Sequence, residues 1–160
     1  MAKIRIDQVV EVGVIGLAGY LVWSLMSSSS NTSSSSSPLD ALAQAIQAHE
    51  GWTPGSVSFR NNNPGNLKYA GQSGATGADA SGFAIFPDYA TGFQALKNQL
   101  ALDASRNPSW TLPQFFSKYL GGDPYSPEVT NQGDPFAYAA SVANKLGVYI
   151  TTTLGQIING

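Results

Sequence analysis

The chain has 160 residues, 10 acidic and 8 basic, and only 11% of them are charged, where a soluble domain carries about 25%. That balance excludes a strongly basic nucleic-acid surface. Cysteine is absent and His49 is the single histidine, which removes disulfide frameworks, thiol nucleophiles, zinc fingers and histidine-based triads. Carboxylates, amides and aromatics are left to carry any chemistry, and neither a metal nor a cofactor is expected.

The first segment, Val9 to Met26, reads VVEVGVIGLAGYLVWSLM, with Glu11 as its one charge. A helix of that length rises about 27 Å, close to the roughly 30 Å of a bilayer's hydrocarbon core. Residues 1–26 are therefore expected to form an N-terminal transmembrane anchor that contacts the lipid bilayer through residues 9–26. Lys3 and Arg5 precede the apolar run and no basic residue follows until Arg60, which places the N-terminus on the cytoplasmic side and the rest across the membrane. A cleaved signal peptide has similar features, but Ser24, Leu25 and Met26 make a poor small-residue cleavage site. Residues 27–37, SSSSNTSSSSS, have no apolar side chain to bury and read as a flexible linker spanning about 17 to 20 Å root-mean-square. The working domain is then 38–160, with six basic and eight acidic residues.

Within it, Leu39, Leu42 and Ile46 keep helical spacing among alanines and Gly51 follows as a stop signal, so Leu39 to Glu50 reads as a helix. Between Arg60 and Pro87 the chain is rich in Gly, Asn and Ser, with short apolar runs at Leu67–Tyr69 and Phe83–Phe86 that are expected to form a small β-hairpin or an irregular sheet. A helix beginning near Asp88 or Thr91 buries Phe93, Leu96 and Leu100. The next starts from Thr111 as cap and carries Leu112, Phe115, Phe116, Tyr119 and Leu120 to the Gly121–Gly122 break. Asp134 followed by Pro135 opens another, with Phe136, Ala139, Ala140, Ala143 and Leu146 inward and Gly147 as its end. Leu154, Ile157 and Ile158 close the chain in a short turn. The fold class is α+β, mainly α.

Glu50 carries the most information. On a helix it lies about 40° from Ile46 and 80° from Leu42, on or beside the buried stripe. Burial and the negative end of the helix dipole both disfavour its charged form and should raise its pKa. A carboxylic acid kept protonated near neutral pH can donate to a leaving-group oxygen, the central need of glycosidic bond cleavage. A frayed helix end with a solvated carboxylate is the plainer alternative.

The stretch FRNNNPGNLKY, Phe59 to Tyr69, holds four asparagines around a Pro-Gly turn. Amides offer donor and acceptor at fixed angles, as sugar hydroxyl and N-acetyl groups require; the same residues also build turns for backbone reasons alone. Candidate substrate contacts here are Arg60, Asn62, Asn63 and Asn66, with Trp52, Phe59, Tyr69 and Phe83 as ring faces for sugars. Arg60 and Lys68 either meet substrate carboxylates or are simply solvated. His49 points about 100° from Glu50 on a helix and reads as structural.

Three segments, IQAHEGW at 46–52, FRNNNPGNLKY at 59–69 and GFAIFPDYATGFQAL at 82–96, resemble phage and prophage peptidoglycan-degrading lytic transglycosylase domains of the lysozyme-like superfamily. TLPQFFSKYLGGDP at 111–124 and DPFAYAASVANKLGV at 134–148 look like that group's downstream helices. The chain has His-Glu-Gly where many relatives have Glu-Ser, and it lacks their Gly-Leu-Met-Gln run. The resemblance implies a lysozyme-like domain, peptidoglycan glycan strands as substrate, Glu50 as catalytic acid, and Tyr138 in the cleft beside it. It further implies cleavage of the β-1,4 bond between N-acetylmuramic acid and N-acetylglucosamine, with one carboxyl acting first as acid and then as base.

A hydrolase of the same fold would want a second carboxylate, for which Asp79, Asp88 and Glu128 are the candidates. A virion-associated enzyme in a phage's internal membrane, beside other virion membrane proteins, would open the wall locally for genome delivery. A bacterial inner-membrane enzyme has the same features, and a non-catalytic glycan-binding or structural virion protein is the alternative from another class.

Overall fold

The computed structural model describes residues 36–160. The expected anchor at 1–26 and all but the last two residues of the serine linker lie outside the described residues. Among the described residues no helix is long and apolar enough to cross a membrane.

Each helix starts where a short polar side chain can take up a free backbone N–H. Ser37 caps α1 (Pro38–His49) by accepting from Asp40 N. Ser56 caps α2 (Val57–Arg60), a single turn that the Asn-rich composition hid. Asp88 caps α3 (Tyr89–Arg106) through Thr91 N at 2.8 Å. Thr111 opens α4 (Leu112–Tyr119), where the Gln114 side chain accepts from the Thr111 amide at 2.9 Å. Asp134 caps α5 (Pro135–Leu146), which ends on Gly147 in the left-handed conformation at φ +68°. Thr153 caps α6 (Leu154–Asn159), a short helix where only a turn was expected.

The buried faces of these helices meet in one core. Leu42 and Ile46 of α1, Leu96 and Leu100 of α3, Leu112, Phe115 and Phe116 of α4, Val142 of α5 and Leu154 of α6 are all essentially inaccessible. Helix α1 packs against α3, α5 and α6, and α4 packs against α5. Phe93, expected in the core, is half-buried at its margin.

Two expectations are corrected. Phe136 was to point inward on α5, but it is 46% exposed, while Tyr138 beside it is buried at 3%. A phenol is buried at no loss when its hydroxyl finds a partner, and Tyr138 has one in Glu50. The hairpin also differs: β1 (Gly77–Ala78) and β2 (Ala84–Ile85) pair antiparallel, with Gly77 opposite Ile85 and Ala78 opposite Ala84. Leu67–Tyr69 instead reaches the other side of the same run through one bridge, Lys68 to Phe83. Asp79 sets that register, because its Oδ1 accepts from the amides of Ser81 and Phe83, both at 2.9 Å, and so closes the turn locally.

The Asn-rich loop is bolted between this β element and the helices. A Cβ on Gly92 of α3 would fall 1.7 Å from the Asn62 carbonyl oxygen, and one on Gly65 would fall 2.7 Å from Leu96 Cδ1. Only glycine permits backbone to approach so closely. Tyr119 of α4 completes the clamp by donating its hydroxyl to the Gly65 carbonyl.

Candidate functional site

Glu50 is the residue just past α1, and it keeps right-handed helical angles (φ −68°, ψ 0°) while its amide still bonds to Ile46 O at 2.9 Å. Its side chain therefore continues the helical track toward the interior, as the spacing from Leu42 and Ile46 requires. Gly51, at φ +67°, then turns the chain away.

Two donors meet the carboxylate. The Tyr138 hydroxyl donates to Oε1 at 2.5 Å and the Asn66 amide donates to Oε2 at 2.7 Å. Tyr138 is itself fixed by stacking between His49, with ring centroids 3.7 Å apart, and Phe116 at 4.0 Å. Burial pushes its phenol far up, and the nearby Tyr119 and Glu50 push the same way, so it remains a protonated donor. Burial likewise raises the Tyr119 phenol, with Glu50 and Asp103 adding to the effect. His49 is held below its ordinary value by the water its ring loses, against an opposing pull from Glu50. The histidine read as structural thus forms one wall of the stack that positions Tyr138.

Asn66 adopts φ +47°, a left-handed conformation that asparagine tolerates better than other side-chain-bearing residues. Its amide nitrogen bonds to Asn63 O at 3.0 Å, so the Pro64–Gly65 turn delivers its side chain to Glu50.

Glu50 and Asn66 open onto a cleft of about 800 Å³. Lys68 and Phe83 from the β side line one wall, Gln99 and Asp103 of α3 with Lys118 and Tyr119 of α4 another, and Asn131 and Gln132 the mouth. Lys68 Nζ stands 3.6 Å from the Phe83 ring centroid and donates to Ser81 O at 3.0 Å. The cleft thus offers two carboxyl groups, amides, two ammonium groups and aromatic rings. That set can bind a hydroxylated, partly anionic polymer and transfer a proton to it.

Of the expected site residues, Glu50, Asn66 and Phe83 line this cleft, and Tyr138 contacts Glu50 from beneath. The others are engaged elsewhere. Asn63 is fully buried: its amide donates to the carbonyls of Leu67 and Ala84, and its oxygen accepts from Leu67 N, all at 2.9 Å. Asn62 donates to Phe86 O at 3.1 Å, and Arg60 donates to Gly55 O. Trp52 packs against Phe59 and Tyr89, with centroids 5.1 and 5.2 Å away; neither Trp52 nor Phe59 lines the cleft, and neither does Tyr69, which is 46% exposed. These side chains build or flank the loop that carries Asn66.

The second-carboxylate candidates also divide. Asp79 is a turn residue whose carboxyl lies below its ordinary value through the Phe83 amide and Asn61, and Asp88 is held low by capping Thr91. Asp103, which the sequence reading passed over, is the second carboxylate in the cleft lining. Its Oδ2 accepts from Gln99 Nε2 at 2.9 Å. The signal was a polar pair four residues apart beside the buried Leu96–Leu100 stripe. Among the described residues no group of three or more His, Cys, Asp or Glu side chains is placed to hold a metal.

Comparison with protein-family models, curated proteins and solved structures finds no match to this chain.

Proposed function

We propose that the domain is a lysozyme-like peptidoglycan lytic transglycosylase, with Glu50 as its single acid and base. The observation that carries this reading is the carboxyl of Glu50, facing a cleft of about 800 Å³ and held at both oxygens by Tyr138 and Asn66. A carboxyl so oriented meets the geometric demand of general acid catalysis before any question of rate.

Glu50, as the acid, gives its proton to the oxygen bridging N-acetylmuramic acid and N-acetylglucosamine, and the C1–O bond breaks. The carboxylate then takes the proton of the muramoyl C6 hydroxyl as that oxygen attacks C1. The product is a 1,6-anhydro ring, and Glu50 is protonated again. Lys68 and Lys118 answer the carboxylates of the lactyl groups and stem peptides. Anchored through residues 9–26, the enzyme works on the non-cytoplasmic side of a membrane, and in a virion's internal membrane it opens the wall locally for genome delivery.

A second reading, a muramidase of the same fold, is favoured by Asp103, because a carboxylate in the same cleft can direct a water at C1. Mass spectrometry of products from purified peptidoglycan, incubated with the full-length protein in detergent, separates the two. Anhydro-muramoyl ends released by the wild type and absent with Glu50→Gln are expected. Reducing ends would establish the hydrolase, and no release by either protein would leave a glycan-binding or structural module. Loss of a positioned acid lowers the rate by about 10²- to 10⁴-fold.

A further inference from the structure

Asn63 and Asn66 occupy the same loop and are held in opposite ways. Asn63 has both ends of its amide committed, its nitrogen to two carbonyls and its oxygen to the Leu67 amide. Turning that amide over would break three hydrogen bonds and restore none. Asn66 has one commitment, from Nδ2 to Glu50, and its Oδ1 is buried with no partner. A buried acceptor left open is unusual and calls for a reason.

Protonation of Glu50 supplies the reason. With Glu50 as carboxylate, Nδ2–H faces an acceptor. Put a proton on Oε2 and two donors face each other across 2.7 Å. Because nothing holds Oδ1, a half-turn of the amide restores the bond in reverse, with Oε2–H donating to Oδ1. One hydrogen bond is exchanged for another. We propose that Asn66 is a positioning residue whose amide turns with the protonation state of Glu50, so that the carboxyl keeps one orientation in the cleft both as acid and as base. The inference builds on the reading of Glu50 as the acid. When the glycosidic oxygen draws the proton from Oε2, the amide swings back and Nδ2 donates to the new carboxylate; when Glu50 regains a proton, the amide reverses again.

The other titratable groups facing this carboxyl are Tyr138 of α5, Tyr119 of α4, Asp103 of α3 and His49 of α1, with Lys68 and Lys118 across the cleft. The two tyrosines keep their protons throughout, so Tyr138 is a constant donor at Oε1 and the change falls on the Oε2 side.

Two variants test this without disturbing the left-handed backbone at position 66, since aspartate and glycine both tolerate it. Asn66→Gly removes the amide and should lower kcat about tenfold or more with KM unchanged. Asn66→Asp places two carboxyls in contact, where one proton is shared, and the alkaline limb of the pH–rate profile should move up by about one unit. A profile that superimposes on the wild type would overturn the proposal. Nuclear Overhauser contacts of the Asn66 side-chain amide protons in the full-length protein provide a readout without substrate. On acidification until the side-chain resonances of Glu50 report its protonation, those protons should exchange their neighbours for the ones around Oδ1, and contacts that stay fixed through that change would sink the idea. Activity retained by Glu50→Gln would instead defeat the functional reading, which the amide contacts do not depend on.

Discussion

Two aromatic groups flank the end of α1, and they differ in what they serve. Beneath Glu50, His49, Tyr138 and Phe116 stack nearly parallel, with interplanar angles of 22° and 14°, and the central ring is buried. On the other side, Trp52 packs at a tilt against Phe59 and Tyr89, Tyr89 stacks on Phe93, and Phe59 and Tyr89 are about two-fifths exposed. Trp52 is two residues from Glu50 in sequence and lies off the cleft. Tyr138 is 88 residues away and touches the acid. Gly51, at φ +67°, makes the difference, because it reverses the chain at once after Glu50 and carries Trp52 to the outer group. Nearness to a functional residue along a chain is a poor guide to its surroundings wherever a helix ends in a left-handed glycine.

The contrast breaks most completely at Gly92. Helix α3 carries Tyr89 and Phe93 of the outer group and touches the Asn loop at the Asn62 carbonyl. In Gly92→Ala the new methyl would meet that oxygen at 1.7 Å, and the helix or the loop must shift, at about 3 kcal/mol. Denaturant midpoints measure that loss. Because the shift moves Asn66 relative to Glu50, activity should fall by more than the unfolded fraction explains, and a fully active, destabilised protein would show the two regions to be independent.

The helices of this domain were legible because their signals are local. Asp88, Thr111 and the Asp134–Pro135 pair mark starts within one turn of the residues they cap, and Gly147 marks an end. Glu50 was legible for the same reason, through its spacing from Leu42 and Ile46. The division of labour among the asparagines was not. Asn63 reaches a carbonyl 21 residues on and Asn66 a carboxylate 16 residues back, and composition treats the two amides alike. The β pair eluded pattern reading because Gly77–Ala78 has no apolar alternation; its register comes from the Asp79 turn. Phe136 reads as inward because hydrophobicity ranks phenylalanine high, whereas the hydrogen-bonded phenol of Tyr138 takes the interior instead.

A sharper cut through the inner group is Tyr138→Phe. The ring, its stack and its burial remain, and only the donor to Glu50 Oε1 is lost. A hydrogen bond to a charged group contributes about 1.5 to 3 kcal/mol, so kcat should drop at least about tenfold. The melting temperature should fall by no more than that bond is worth, since the phenylalanine fills the same space. A variant with wild-type kcat would make Tyr138 a packing residue only.

The outer group answers with the reverse pattern. Trp52→Ala removes contacts to Phe59 and Tyr89 and should cost roughly 1 kcal/mol of stability, while KM for glycan strands stays unchanged because Trp52 does not line the cleft. A several-fold rise in KM would return Trp52 to the substrate surface.

The smallest effect separates His49 from the carboxylates by pH. The His49 imidazole is held below its ordinary 6.5, first by the water its ring loses and then by Lys145, with Glu50 opposing. The folded state therefore binds this proton less readily than the unfolded chain does. The stability it contributes is present above 6.5 and is lost as pH falls through the depressed value. Asp40, Asp79 and Asp88 are also depressed, from 3.8, so their contribution is present above 3.8 and is lost in a lower, separate window. Melting temperature followed downward in pH should thus decline in two stages. His49→Phe keeps a flat ring against Tyr138 and should erase the first stage while leaving the second, and a first stage that persists in the variant would assign it to another group. The first stage should be shallow, since His49 remains largely exposed and solvent screens its charge. Its presence at all would report the same ring contact that steadies Tyr138 under the acid.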